Sequence, residues 1–347
     1  MNLADAFDFV QHQVRRTIEE YPDLHPMYTT NGRWDTTGDK WTHWCEGFFP
    51  GMMWLIHHKT GDQWMRQQAE AYSKRLEPRQ HDRAVHDLGF IFMSTYLPWY
   101  RLSGDPALNA VLIQTGRTLA MRFQPGGRYL CSFLGPESLF IDIMANVGII
   151  FHAGCETGDE ALLEVARQHC LTTRRRLVRG DGSTAHEGIF DPATGEFLRQ
   201  STQQGYRGDS CWSRGLAWAL YGFHTAYEYS GDERFLATAR ACADFYLRNA
   251  PPGGVPWWDF DVPEGPQRIY DSSAAAIAAA GLIRQGRKDE ARGILQTLCD
   301  GFLVAPDQDG VLSQGVYHIH KKLGVSESVI WGDYFFTEAL AAALNYE

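Results

Sequence analysis

The sequence is short of the signals that mark membrane, secreted, nucleic-acid-binding and metal-dependent proteins. Seven cysteines occur in 347 residues, at 45, 131, 155, 170, 211, 242 and 299, and none forms a CxxC pair. An odd, unpatterned set reads as reduced thiols, most of them acting as small apolar residues. No apolar run is long enough to span a bilayer. The opening MNLADAFDFVQHQVRR reads as an amphipathic helix with early acids, without the basic start and apolar core of a signal peptide. These features predict a cytoplasmic protein that engages no membrane. Basic clusters are scarce too. The net charge is −10, from 42 acidic and 32 basic residues, which argues against a nucleic-acid partner. The one compact basic run, Arg174-Arg175-Arg176, falls near a predicted helix end, where cations answer the macrodipole. No GxSxG elbow, Walker loop or dinucleotide fingerprint is present. His57-His58 and His318-x-His320 lack the partner acids and spacing of a zinc site, so they read as solvated or packing histidines. The expectation is an enzyme or binding protein without metal or cofactor.

What the chain does have is a repeat. Thr60-Gly61-Asp62, Ser103-Gly104-Asp105, Thr157-Gly158-Asp159 and Ser230-Gly231-Asp232 recur between apolar helical runs, with Gln285-Gly286-Arg287 as a weaker copy. Gly tolerates the left-handed conformation that ends a helix, and Asp can cap the next one. Pro106 after Asp105 suits a first helical position. Placing helices on both sides of each corner predicts twelve, over 3–21, 44–59, 62–77, 84–102, 105–122, 138–156, 159–177, 210–230, 232–249, 271–285, 287–304 and 332–346. Alternate members are apolar on nearly every face, as in Phe140–Phe151, Trp212–Phe223 and Ser272–Ile283. Their successors are amphipathic. At 39.3 kDa the chain could form one closed architecture or two domains. The pattern predicts an all-α (α/α)6 barrel over 1–347, an inner ring of six helices inside an outer six, with an α-solenoid as the alternative. A small hairpin is expected around Ile189–Leu198.

Corners are short and the returning links long, so the links should gather at one end of the ring, beside the starts of the inner helices. Eight of the eleven tryptophans (34, 41, 44, 212, 218, 257, 258 and 331) lie in those links or the turns that follow. Aromatic faces at that density suit sugar rings, and an aromatic core lid is the bland alternative. Asp142 is the only charge in Leu139–Ile150. A lone buried carboxylate is costly, and desolvation raises its pKa toward that of a general acid. Asp87, in His86-Asp87-Leu88-Gly89-Phe90, starts the preceding inner helix and could converge on the same sugar. For both, simple helix capping is the competing explanation. His186, Gln204 and Arg214 complete the polar set, and Arg214, inside an apolar run, should meet an anion or a carboxylate.

These residues carry a resemblance. Gly47-Phe48-Phe49-x-Gly51-Met52-x-Trp54-Leu55, His86-Asp87-Leu88-Gly89-Phe90 and Asp142 come first, followed by Gly182-Ser183-x-x-His186 and Phe190-Asp191-x-x-Thr194-Gly195. Gln204-Gly205, Ser210-x-Trp212-x-Arg214-Gly215, Ala217-Trp218, Tyr221-Gly222 and Glu327-Ser328-x-Ile330-Trp331-Gly332-Asp333-Tyr334 complete the set. In that order the chain resembles the unsaturated glucuronyl hydrolases of glycoside hydrolase family 88 over essentially its whole length. The resemblance implies a metal-independent (α/α)6 barrel acting on lyase-generated oligosaccharides, disaccharides included, that end in a 4,5-unsaturated uronic acid. It implies Asp142 as general acid/base and Asp87 as its companion, with His186, Gln204 and Arg214 around the uronate. It also implies Trp41, Trp212, Trp218, Ser326 and Tyr334 for ring stacking and carboxylate contact. Leu216 and Gln203 depart from the expected Gln and His, which bears on substrate preference. The alternatives are a family 105 unsaturated rhamnogalacturonyl hydrolase, an inverting glycosidase or sugar epimerase on the same barrel, and a non-catalytic sugar-binding protein.

Overall fold

A computed structural model describes residues 1–37 and 43–345, and statements of count or absence below concern those residues. The corners are as the repeat predicts. Gly61, Gly104, Gly158 and Gly231 have φ of 74°, 67°, 64° and 65°, and each closes a helix with its amide bonded back to the residue four earlier. Asp62, Asp105, Asp159 and Asp232 then accept amide hydrogens from the first turn of the following helix.

The helices are α1 (Leu3–Glu20), α2 (Phe48–Thr60), α3 (Gln63–Arg75), α4 (Leu88–Met93), α5 (Tyr96–Ser103), α6 (Pro106–Ala120) and α7 (Ile143–Asn146). They continue with α8 (Gly148–Thr157), α9 (Glu160–Leu177), α10 (Ser213–Ser230), α11 (Glu233–Asn249), α12 (Ser272–Arg284), α13 (Lys288–Gly301) and α14 (Ile330–Ala343). Packing runs from α10 to α12 to α14 to α2, and from α4 through α7 to α10; Phe48 of α2 against Phe90 of α4, at 5.4 Å, closes the inner ring. Each inner member is backed by its chain neighbour, such as α3 on α2, α11 on α10 and α13 on α12, while α1 backs α14. The all-α (α/α)6 barrel is therefore the observed fold. No helix is long and apolar enough to cross a membrane.

Two expected inner helices are interrupted. The span 84–102 breaks at Ser94-Thr95, because Pro98 has no amide for the Ser94 carbonyl. The Ser94 and Thr95 hydroxyls turn back on the Phe90 and Ile91 carbonyls, both at 2.6 Å. The span 138–156 begins as a strand: Ser138–Phe140 pairs antiparallel with Glu187–Phe190, which pairs with Phe197–Ser201. The apolar run Leu139–Ile141 suits either state, and pairing across the sheet decides it. The predicted hairpin is thus the outer part of a three-stranded sheet. Asp142 follows the strand directly and precedes α7, so it stands at a turn and not inside a helix.

Asn146 holds this turn to its neighbour. Its side-chain oxygen accepts the Phe90 amide at 2.7 Å, and its side-chain nitrogen donates to the Asp142 carbonyl at 3.2 Å. Glycine makes the approach possible, since a Cβ on Gly89 would come within 2.4 Å of the Asn146 backbone. Asn146→Ala should therefore leave the buried Phe90 amide unpaired and cost about 1–3 kcal/mol in chemical denaturation. A loss near zero would mean that the two turns are held by packing alone.

Candidate active site

The starts of α4, α7 and α10 meet the strand Gly315–His318 at one end of the barrel. They enclose a pocket lined by Asp87, Asp142, Gln203, Gln204, Arg214, His86 and His318, with the rings of Trp44, Phe133, Phe140, Trp212, Trp218 and Tyr317 as walls. Asp87 and Asp142 occupy the position before the first helical residue, yet neither side chain makes a capping hydrogen bond. The capping explanation therefore fails for both.

One oxygen from each carboxylate and one nitrogen of His86 lie within 4.8 Å of one another. The Phe133 amide donates to His86 Nδ1 at 3.0 Å. Burial holds the ring neutral, well below the ordinary histidine range, so Nε2 carries its proton. That N–H faces Asp87 Oδ1 at 3.3 Å and Asp142 Oδ1 at 3.8 Å. Three such ligand atoms could in principle grip a cation. The hydrogen bond from Phe133 means that the ring offers the carboxylates a proton instead of a lone pair. Asp142 Oδ1 has no hydrogen-bond partner. Burial pushes the Asp142 carboxyl up to about 7, against the pull of backbone amides and Arg214. Asp87 is also raised, by burial first and then by repulsion from Asp142. A carboxyl near 7 can both give and regain a proton at neutral pH.

Arg214 is fully buried, and its expected carboxylate partner is Asp271, at 3.2 Å. Its guanidinium lies over Trp212 at 4.5 Å, and it donates to the Val316 and Tyr317 carbonyls. It also donates to Gln204 Oε1 at 2.7 Å, which leaves the amide nitrogen of Gln204 as the free end of that side chain. His186 packs between Phe140 and Trp212, with centroids at 4.6 and 4.7 Å. Its Nδ1 accepts the Gln203 amide at 3.0 Å, and burial lowers its pKa to about 3. Nε2–H is consequently an unpartnered donor.

Not every expected residue joins this group. Tyr334 lies on α14 against Phe48 and lines a different cavity, toward the corners. Its partners are set by the ring interior, where one helical turn carries a side chain from one half of the barrel to the other. Ser326 is exposed on the strand Leu323–Glu327, at φ 58°, away from the pocket. Trp41 lies outside the described residues. Conversely, His86, His318, Tyr317, Phe133 and Phe140 line the pocket without having been singled out. His318 had a signal, as half of a His-x-His pair, but absent zinc spacing it reads as packing.

A family model described as Glycosyl Hydrolase Family 88 matches residues 10–248. An unsaturated glucuronyl hydrolase of Bacillus sp. (strain GL1) is 32% identical, over 94% of this chain and 92% of its own. An unsaturated chondroitin disaccharide hydrolase of Streptococcus pneumoniae (strain ATCC BAA-255 / R6) is 29% identical, over 97% of this chain and 91% of its own. The crystal structure of an unsaturated glucuronyl hydrolase specific for heparin superposes with TM-score 0.93 at 27% identity, covering 99% of this chain and 97% of that one.

The raised carboxyl makes a stability prediction. A group whose folded pKa is near 7 and whose ordinary value is 3.8 favours folding below 3.8, and that advantage is lost as pH rises through 7. Asp142→Asn should melt higher than the parent at pH 8, with the difference shrinking steadily toward pH 4. A constant difference across that range would show that Asp142 titrates normally.

Proposed function

The chain belongs to glycosyl hydrolase family 88 and is a glycoside hydrolase, and from that premise we propose how its pocket acts on the 4,5-unsaturated uronic acid that ends a lyase-generated oligosaccharide. The observation that carries the reading is the Asp142 carboxyl, near 7 and unpartnered at Oδ1, facing a ring-walled pocket. Asp142 protonates C4 of the vinyl ether, and positive charge develops at C5 and the ring oxygen. Asp87, held by the His86 N–H, is the second carboxyl beside that charge. Water then adds at C5 and gives its proton to the Asp142 carboxylate, which restores the acid. The C5 hemiketal opens at its ring C–O bond, leaving a ketone at C5 and a hemiacetal at C1 that expels the neighbouring sugar.

The carboxyl spacing supports hydration over inverting hydrolysis. An inverting pair needs room for a water between carboxyls about 6.5–9.5 Å apart, and here the nearest oxygens lie within 4.8 Å. The Gln204 amide nitrogen is suited to the uronate carboxylate, with the buried His186 ring backing the pocket between Phe140 and Trp212, and Trp212 and Trp218 are suited to the ring faces. Arg214 acts through Gln204, which it orients. The pocket is small beside the barrel's other cavity, which suits a short substrate. Net charge −10 favours unsulfated disaccharides. One catalytic barrel spans 1–347. Seven unpaired cysteines, six of them buried, suit the cytoplasm.

The test follows the ultraviolet absorbance of the conjugated double bond in a panel of unsaturated disaccharides. Absorbance should fall with the parent protein, with a rate that declines above pH 7 as Asp142 loses its proton. Asp142→Asn should be slower by about 10²–10⁴-fold or more. Parent-like turnover by that variant would remove Asp142 from the reaction. Absorbance that persists across glucuronyl substrates but falls with pectin-derived ones would redirect the substrate assignment.

A further inference from the structure

Beneath the active site the barrel holds a second, larger cavity of ≈ 740 Å³. It is reached from the opposite end, since its rim is made by the last turns of α2, α5, α10 and α12, with Leu102 46% exposed at the mouth. The two spaces are separated by one layer of rings: Phe90 touches Trp218 at 4.8 Å and Trp44 at 5.5 Å, and Phe335 touches Trp218 at 5.2 Å. Trp218 and Trp44 face the active site, while Phe90 and Phe335 face the cavity.

Glu338, mid-way along α14, faces this space. Its oxygens accept the Tyr221 hydroxyl at 3.1 and 3.3 Å and also meet the Tyr334 hydroxyl, which leaves part of a carboxylate's accepting capacity unused. Arg284 is the nearby cation, and part of its guanidinium is committed elsewhere. It pairs with Glu228, donates to Thr225 Oγ1 at 2.9 Å and lies over the Tyr221 ring at 4.5 Å. The rings of Phe48, Trp54, Phe90, Tyr334 and Phe335 line the interior, with His57, His58, Arg101 and Glu228 on the helix ends toward the mouth. The ends of the inner helices point into the rim with their carbonyl poles, which favours positive charge. A carboxylate set among ring faces is the chemistry that recognises an ammonium group. The volume lies within the range of small-molecule sites.

We propose that this cavity is a second binding site, taking a small organic ammonium compound whose apolar body packs on the rings and whose N–H groups bond to Glu338. Burial raises the Glu338 carboxyl and Arg284 opposes the rise; a bound ammonium offsets the same burial cost. The site is independent of the catalytic carboxyls, because the ring layer lies between them.

The test titrates the whole protein with phenethylammonium by calorimetry, beside neutral phenethyl alcohol and anionic phenylacetate. Saturable binding of the ammonium, tightest of the three, is expected. Glu338→Gln should weaken it about tenfold or more, as loss of a charged hydrogen-bond partner does, and its melting curve reports whether the variant folds. Leu102→Lys, at an exposed position, should weaken binding without touching the core. Asp142→Asn should bind as the parent does, with or without a saturating unsaturated disaccharide. No saturable binding, equal or tighter binding of phenylacetate, indifference to both Glu338→Gln and Leu102→Lys, or displacement by the disaccharide would each overturn the assignment.

Discussion

The pocket depends on a proton that two buried carboxyls cannot both release. Asp87 and Asp142 stand close enough for one imidazole N–H to reach both, and ionising the pair in that dry space sets two negative charges against each other. The fold does not relieve this with a salt bridge. Arg214, the nearest cation of the pocket, is spent on Asp271, on backbone carbonyls and on Gln204. It lowers Asp142 somewhat and leaves burial dominant. An arginine paired directly to Asp142 would give a firmer ion pair and a poor acid.

Position along the helices follows from the same need. A carboxylate at the start of a helix normally takes the first free amides and becomes more acidic. Here the backbone before α4 and α7 is already in or near helical conformation, with Asp142 at φ −68°, ψ −18° and Asp87 at φ −93°, ψ 17°. That geometry denies both side chains a capping hydrogen bond and places them in the pocket. Asn146 then does what a capping residue would otherwise do, binding the Phe90 amide that the Asp87 side chain ignores.

The sequence made the ring legible because its corners are local chemistry: a Gly that must turn left and an Asp that caps can be recognised within four residues. Asp142 and Asp87 were legible for a related reason, since charge within an apolar run is costly wherever it lies. What escaped detection is set by contacts across the ring. Whether Leu139–Ile141 is helix or strand depends on Glu187–Phe190 some fifty residues away, and that choice moves Asp142 from the first turns of the expected helix to a turn ahead of one. Tyr334 shares a motif with Trp331 and Asp333, yet one helical turn sends it to the other half of the barrel. His86 was visible in its motif, but its role as a proton donor rests on an amide from Phe133, forty-seven residues on. Capping is read from neighbours in sequence; a tautomer is read from neighbours in space.

The aromatic layer gives the two halves of the barrel opposite electrostatic tasks. Inner helices that begin around one pocket must end around the other space, so one pole of each backbone dipole serves each end. At the starting end the chain presents a neutral donor, the Gln204 amide, and keeps its one arginine paired, which suits the anionic sugar we propose. At the finishing end it adds Glu338 and ties up Arg284. In each half the cation is neutralised by a partner carboxylate and the uncommitted groups are of the opposite kind to the ligand charge. The rings of Phe90, Trp218 and Phe335 allow this, because an uncharged layer keeps the two sites apart while giving both a stacking face.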